Sequence, residues 1–304
     1  MAKFAVLGAG AVGGFLSAAL NYRSAHVTVV GTERSASYIR IHGLHLSSAT
    51  LGDFSTRPRA VQELEEQTDV LFIAVRATEL DAALARIKVA PRLIIPLTSG
   101  LEHLERLRER FPNTLVCAAS MRVDAEKKAT GDIVHRSSFA VIDTAFDDDW
   151  VSHRELRPLV EQLKTAGIAL LVSASESQVL WSRMVFLNAL SLTSALANMP
   201  VGWIRKDPEW RRRLQAALEE GAHVALGECG TKISVDMTME YVDHANYQLG
   251  SVMQRDIQAG RQPELDAIAG SVLRAARRLG VECPTIADLT AQVAARAGVP
   301  APRW

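Results

Sequence analysis

The sequence has little cysteine. Cys117, Cys229 and Cys283 are the only three in 304 residues, and they lie far apart. No C-x-x-C pair or Cys/His cluster offers a metal or redox motif, and cysteine poverty fits a reducing compartment. Net charge is also lacking: 34 Lys and Arg balance 34 Asp and Glu. Such a chain has no global field to hold nucleic acid or an anionic membrane, which leaves room only for a local basic pocket around a phosphate. No uninterrupted apolar run approaches the roughly 18 residues of a membrane span. The opening run Lys3-Phe4-Ala5-Val6-Leu7 is too short for a signal-peptide core, and glycines interrupt it. Repeats and low-complexity tracts are missing too. These absences predict a cytoplasmic protein whose partner is a small molecule, with no metal.

Hydrophobic residues make up 48% of the chain, enough for a sizeable core in each of two domains. In the first half, short apolar strands alternate with helical stretches. Strands are predicted at 4–7, 26–30, 70–75, 93–97 and 115–118, with helices at 11–21 and 102–110. The run VLFIAV at 70–75 is apolar throughout, as in a parallel strand covered on both faces. Residues 133–142 read as a pair of strands or one bent strand, 156–166 as a helix and 168–172 as a last strand. This alternation predicts an α/β fold with a doubly wound parallel sheet. After the small, polar Ser173-Ala174-Ser175-Glu176-Ser177 the periodicity becomes helical, at 181–197, 210–228, 239–258 and 264–279. The expected organisation is therefore domain 1–174 followed by a mostly helical domain 175–304.

Gly8-Ala9-Gly10-Ala11-Val12-Gly13 follows the first strand and opens the first helix. In that context the three glycines do different things. Gly8 permits the tight turn, Gly10 admits a pyrophosphate to the backbone, and Gly13 lets helix and strand pack closely. The helix N-terminus then offers free N–H groups to the phosphates. The first domain reads as a Rossmann domain; the alternative is a tight turn with no ligand. The end of the second strand chooses the dinucleotide. Thr32 and Arg34 suit the 2′-phosphate of NADP, whereas Glu33 would hold the ribose hydroxyls of NAD; the balance of groups favours NADP.

Several motifs together resemble the ketopantoate reductase family over nearly the whole chain. Val75-Arg76-Ala77 stands where that family usually has Lys-Ala, and Ser99-Gly100 where it has Asn-Gly. Gly131-Asp132-Ile133-Val134-His135 is similar to its glycine-led hairpin, and Trp181-Ser182-Arg183-Met184 to its Trp-x-Lys-Leu helix. The late motif Asp256-Ile257-x-x-Gly260-Arg261-x-x-Glu264-Leu265-Asp266, followed by Gly270, Gly280 and Pro284, is the most specific match. The resemblance implies a Rossmann domain and a helical domain with substrate in the cleft between. It also implies a reaction in which the nicotinamide delivers hydride to the carbonyl carbon of a 2-keto acid while a protein cation assists the oxygen. It implies Arg76 and Ser99 as further cofactor contacts, and Glu264 on the cofactor or substrate side.

Departures from the family pattern bear on the substrate. The catalytic lysine is replaced by Arg183, which stays protonated and donates a proton poorly, yet can grip a carboxylate or stabilise an alkoxide. Leu187 replaces an asparagine, Ser191-Leu192 an Asn-Pro pair, Val252 a serine and Ser99 an asparagine. On a helical projection Arg183, Leu190 and Ser194 fall within about 20° of one line, with Asn198 about 60° away and Asn188 about 140° away. Ser191, Ser194, Asn198 and Ser251 form the expected substrate-contacting set, with Arg183 and Glu264 catalytic. Alternatively Arg183 is a structural ion pair with Glu264 or Asp266, and Glu264 a carboxylate at a helix start. His135 and His244 read as hydrogen-bonded structural residues. The function these features imply is reduction of ketopantoate or of a different carbonyl substrate; the competing reading is an NADP(H)-binding sensor without turnover. The long apolar helices of the second domain form a homodimer interface or fill its core.

Overall fold

In a computed structural model of the chain, residues 2–128, 131–146, 153–173 and 175–304 are described. They divide into two compact units. The first comprises Met1–Thr98 and His103–Val179; the second comprises Ser99–Glu102 and Leu180–Trp304. The expected boundary at 174/175 falls just before the long helix starting at Glu176, and the contact boundary lies one turn inside that helix.

The first unit runs β1 (Lys3–Leu7), α1 (Ala11–Tyr22), β2 (His26–Val30), α2 (Glu33–His42), β3 (Leu44–Ser48), β4 (Gly52–Thr56), β5 (Arg59–Val61), β6 (Val70–Ile73), α3 (Leu80–Leu84), β7 (Leu93–Pro96), α4 (His103–Arg110) and β8 (Leu115–Val116). It continues through β9 (Ala118–Arg122), β10 (Ala125–Lys127), β11 (Ile133–His135), β12 (Val141–Ala145), α5 (His153–Thr165) and β13 (Ala169–Val172). Six strands form a parallel sheet in the order β5-β2-β1-β6-β7-β8. Its central strands are apolar because both faces are covered: every residue of β6 and β7 is buried. α1 packs Phe15, Leu16 and Leu20 into the core with Phe4 and Phe72, each such side chain contributing about 1.5–3 kcal/mol.

Two smaller sheets complete this unit, β10-β11-β3-β4 and β13-β12-β9. Residues 133–142 thus supply strands to two different sheets. β11 pairs in parallel with β3, whereas β12 pairs with β9 and β13. The turn between them is fixed by His135, whose Nδ1 lies 2.8 Å from Ser48 Oγ and whose Nε2 lies 2.9 Å from Ser137 Oγ. β3 and β4 escape the sequence reading because His45, Ser47, Asp53 and Ser55 dilute their apolar signal.

The second unit contains α6 (Glu176–Ala197, from Leu180 onward), α7 (Val201–Ile204), α8 (Pro208–Cys229), α9 (Val235–His244), α10 (Val252–Gln258), α11 (Ser271–Leu279) and α12 (Pro284–Ala297). By length and composition α6 could cross a membrane, but 67% of its apolar window is buried. Its buried residues join Leu214, Leu218, Val272 and Leu289 in one core.

The helix predicted over 239–258 is two helices. Residues between α9 and α10 bond instead to α7: Val201 N donates to Leu249 O at 2.7 Å and Gly202 N to Tyr247 O at 3.0 Å. Tyr247 lies so close that a Cβ on Gly202 would fall 2.2 Å from its ring. Ser251 then starts α10, its hydroxyl accepting from Gln254 N at 3.0 Å. Tertiary hydrogen bonds override the helical period here. The stretch predicted as helix over 264–279 opens with a π-helical turn, Asp266–Gly270, before α11.

The cysteines differ in environment. Burial pushes the Cys117 thiol up to about 12 and the Cys283 thiol up to about 11, while Cys229 is half-buried. Thiolate is the reactive form. Native protein at pH 8 should therefore release about one equivalent of chromophore from a thiol-disulfide reagent, and three after unfolding. Rapid release of three from the native state would contradict the burial of Cys117 and Cys283.

Candidate functional site

The strand order of the large sheet reverses between β1 and β6, the place where open α/β sheets form a crevice beyond their strand ends. Two loops meet there. Gly8 has φ +107°, and a Cβ on it would fall 2.7 Å from Ala74 O in the loop after β6. A Cβ on Gly13 would fall 2.0 Å from Gly8 O. The fold itself requires glycine at both. Gly10 is different: with φ −76° it is not strained, and no heavy atom among the described residues lies within 4 Å of a Cβ built there. No side chain caps α1 at Gly10 either. The loop from Gly8 through Ala9, Ala11 and Val12 to Gly13 thus combines a helix start with an open approach to its backbone. This is what a dinucleotide pyrophosphate needs, so the residues present fit that cofactor.

At the end of β2, Thr32 is the N-cap of α2, its hydroxyl accepting from Ser35 N at 3.3 Å. Glu33 is drawn aside. Its carboxylate accepts from Ser37 Oγ at 3.0 Å and from the Gln62 amide, and lies 3.7 Å from Arg40. Arg34 is exposed, with no carboxylate partner among the described residues. Arg76 is half-buried, just ahead of a single 3-10 turn, Ala77–Glu79, that follows β6. Thr98 Oγ1 donates to Val75 O at 3.1 Å and ties the end of β7 to the same loop.

The second unit carries the remaining expected residues. Arg183 is half-buried on α6, and Glu264 is buried just before the π-helical turn. Asp266 bonds Arg274 at 2.8 Å. Arg274 also grips Glu102 through two parallel bonds of 2.8 and 2.7 Å, and so fixes the segment carrying Ser99. Those carboxylates raise the guanidinium's pKa further above its ordinary value, Glu102 most strongly. In the late motif, Asp256 is buried and accepts from Arg261 Nε at 3.0 Å across the turn at Gly260. Half of that motif is a brace that delivers Glu264.

Ser194 and Ser251 are buried with their hydroxyls 2.7 Å apart, and Ser194 also donates back to Leu190 O at 2.6 Å. Asn198 departs from the helical projection: it lies beyond the end of α6, exposed, with φ +58°. Its Oδ1 accepts from Gln258 at 2.7 Å, so here it terminates a helix. Ser191 is buried, and its hydroxyl has no hydrogen-bond partner among the described residues. The same holds for both amide atoms of Asn188, one turn earlier. Unsatisfied buried groups of this kind cost about 1–3 kcal/mol each and mark places where water or ligand completes the bonding. Asn188 lies off the line through Arg183 on a helical projection, so its angle does not single it out. Lys127 escaped because it sits unremarked in a charged run, Glu126-Lys127-Lys128. Its ammonium donates to Ala9 O, inside the glycine loop, at 2.8 Å.

Residues 4–144 match the family model for ketopantoate reductase PanE/ApbA, and residues 177–297 match its C-terminal counterpart. The chain belongs to the ketopantoate reductase family. It is 28% identical over 310 residues to a 2-dehydropantoate 2-reductase of Mycobacterium tuberculosis, covering 96% of this chain and 97% of that one. Among solved structures, a dimeric ketopantoate reductase from Staphylococcus aureus superposes with a TM-score of 0.81 at 22% identity, covering 97% and 99% of the two chains. D-mandelate dehydrogenase in a ternary structure with NADH and anilino(oxo)acetate superposes with a TM-score of 0.86 at 18% identity, covering 98% and 100%. Both structures share the fold, a Rossmann-like parallel sheet followed by helices. Ketopantoate reductase family membership makes the protein an oxidoreductase of the CH–OH/C=O class with a nicotinamide cofactor.

The open space beside Gly10 gives a direct test. Gly10→Val should fold with an unchanged melting temperature and lose dinucleotide binding by fluorescence titration. Retained affinity in the folded variant would remove the glycine loop from the cofactor site.

Proposed function

We propose that the protein is an NADPH-dependent reductase of a 2-oxo acid. The observation that carries the cofactor choice is the engagement of Glu33. Its carboxylate is spent on Ser37, Gln62 and Arg40, so Arg34 and Thr32 face the adenosine ribose, a pairing suited to a 2′-phosphate. The glycine loop, Arg76 and Ser99 hold the rest of the dinucleotide, which when bound supplies the hydride.

Chemistry at the carbonyl falls to the second unit. Arg183 stabilises the developing alkoxide with charge and two parallel N–H donors. It does not release a proton at neutral pH, so the proton comes from water or from Glu264. Ser191 has a buried, unspent hydroxyl and contacts substrate, whereas Ser194 and Ser251 hold each other and shape the wall. Leu187 stands where the family pattern has an asparagine, which favours a 2-oxo acid with a more apolar side chain than ketopantoate. The dimeric Staphylococcus aureus relative supports a homodimer here too.

NADPH should bind at least severalfold tighter than NADH in a fluorescence titration, and equal or tighter NADH binding would make Glu33 the reader. Arg183→Ala should lose about 10²–10³ in turnover while keeping NADPH affinity. Arg183→Lys separates the substrates. Lysine keeps or raises activity if the site still suits ketopantoate, and loses it if a fork must grip a carboxylate. Parental activity in both variants would take Arg183 out of the active site.

A further inference from the structure

The hairpin of β10 and β11 lies against the cofactor-binding corner of the first unit, and three contacts fix it there. Lys127 Nζ donates to Ala9 O at 2.8 Å. Ile133 Cδ1 sits where a Cβ on Gly14 of α1 would be, 2.4 Å away. Tyr38 of α2 covers Gly131, its hydroxyl 2.4 Å from a Cβ built there. The hairpin is thereby held against α1 on one side and α2 on the other. The Lys127 ammonium thus lies on the glycine loop, within reach of the positive charge of Arg34 in the first turn of α2.

We propose that Lys127, together with Arg34, forms a two-cation clamp for the phosphate on the adenosine ribose of NADPH, and so sets the preference for NADPH over NADH. This rests on the NADPH reading given above. The bond to Ala9 uses one of the three ammonium donors of Lys127 and leaves two for an anion. Ala9 is the residue between the first two glycines, and Arg34 follows β2, so the two cations flank the ribose end of the site. Lys127 is half-buried and carries no carboxylate partner among the described residues. Desolvation, and then the nearby positive charge of Arg34, lower its pKa below the usual lysine value. The half-buried ammonium and the exposed guanidinium are like charges that oppose one another, and a bound dianion between them removes that conflict. Arg34 contributes a planar fork and Lys127 a compact charge, a combination suited to a tetrahedral phosphate.

The test is a titration of NADPH, NADH, 2′,5′-ADP and 5′-AMP against the parent, Lys127→Met, Lys127→Arg, Arg34→Ala and the double variant, with melting temperatures recorded. Lys127→Met should weaken NADPH and 2′,5′-ADP about tenfold or more, the scale of one charge-assisted hydrogen bond. NADH and 5′-AMP should change by less than about threefold. Lys127→Arg should restore most of the preference, and the double variant should differ from the sum of the singles, since both groups would hold one phosphate. Equal weakening of all four ligands would show that Lys127 only supports the glycine loop, and unchanged binding would place it outside the site; either result overturns the clamp. A parent that prefers NADH overturns the NADPH reading and the clamp together. A parent that prefers NADPH with an indifferent Lys127→Met overturns the clamp alone.

Discussion

The closeness of α1 to β1 governs the first unit. Backbone nearly touches backbone where Gly13 passes Gly8, and Gly8 in turn is pressed against Ala74 beyond β6. That approach draws the helix start over the ends of the two central strands. It also aligns α1 so that Phe15, Leu16 and Leu20 cover the sheet. Any side chain at Gly8 or Gly13 would push the helix away and open the core and the site together. Gly10 is free of that constraint, so a requirement for glycine there comes from what binds and not from what folds.

The second unit solves a different problem. It has no sheet to position groups, so its polar residues are set by helix caps and braced turns. The Asp256–Arg261 pair closes the turn that ends α10, Ser251 starts that helix, and Arg274 ties the π-helical turn to the segment around Ser99. Arg183 and Glu264 arise from this framework, one on α6 and one at the end of a braced turn. Ser191 and Asn188 are left buried with unspent polar atoms. Such groups are places where water or a ligand completes the bonding.

How much of this was legible in the sequence follows from how local each signal is. The glycine loop and the parallel strands were legible because short-range periodicity and turn chemistry dictate them, and apolar runs such as VLFIAV admit few other readings. β3 and β4 were not, since only one face is covered, by way of Leu44 and Leu46, and the polar His45, Asp53 and Ser55 lie exposed. The break between α9 and α10 is invisible locally because bonds from Val201 and Gly202 create it. Site residues divide in the same way. Thr32 as a helix cap is a local property, whereas the diversion of Glu33 by Gln62 joins positions 29 apart in the chain. Lys127 reaches Ala9 across 118 positions, a distance no motif encodes.

The segment Ser99–Glu102 belongs by its contacts to the second unit, although the chain on either side of it belongs to the first. Glu102 is gripped by Arg274, a residue 172 positions later. The second unit is therefore not one continuous stretch of gene. A hybrid joined near residue 180 to the helical half of a relative would present its Arg274 equivalent to a foreign loop. Recombination among relatives would have to carry these two distant pieces together, and a change of helical half that keeps the first half intact would still need a rewritten segment after β7.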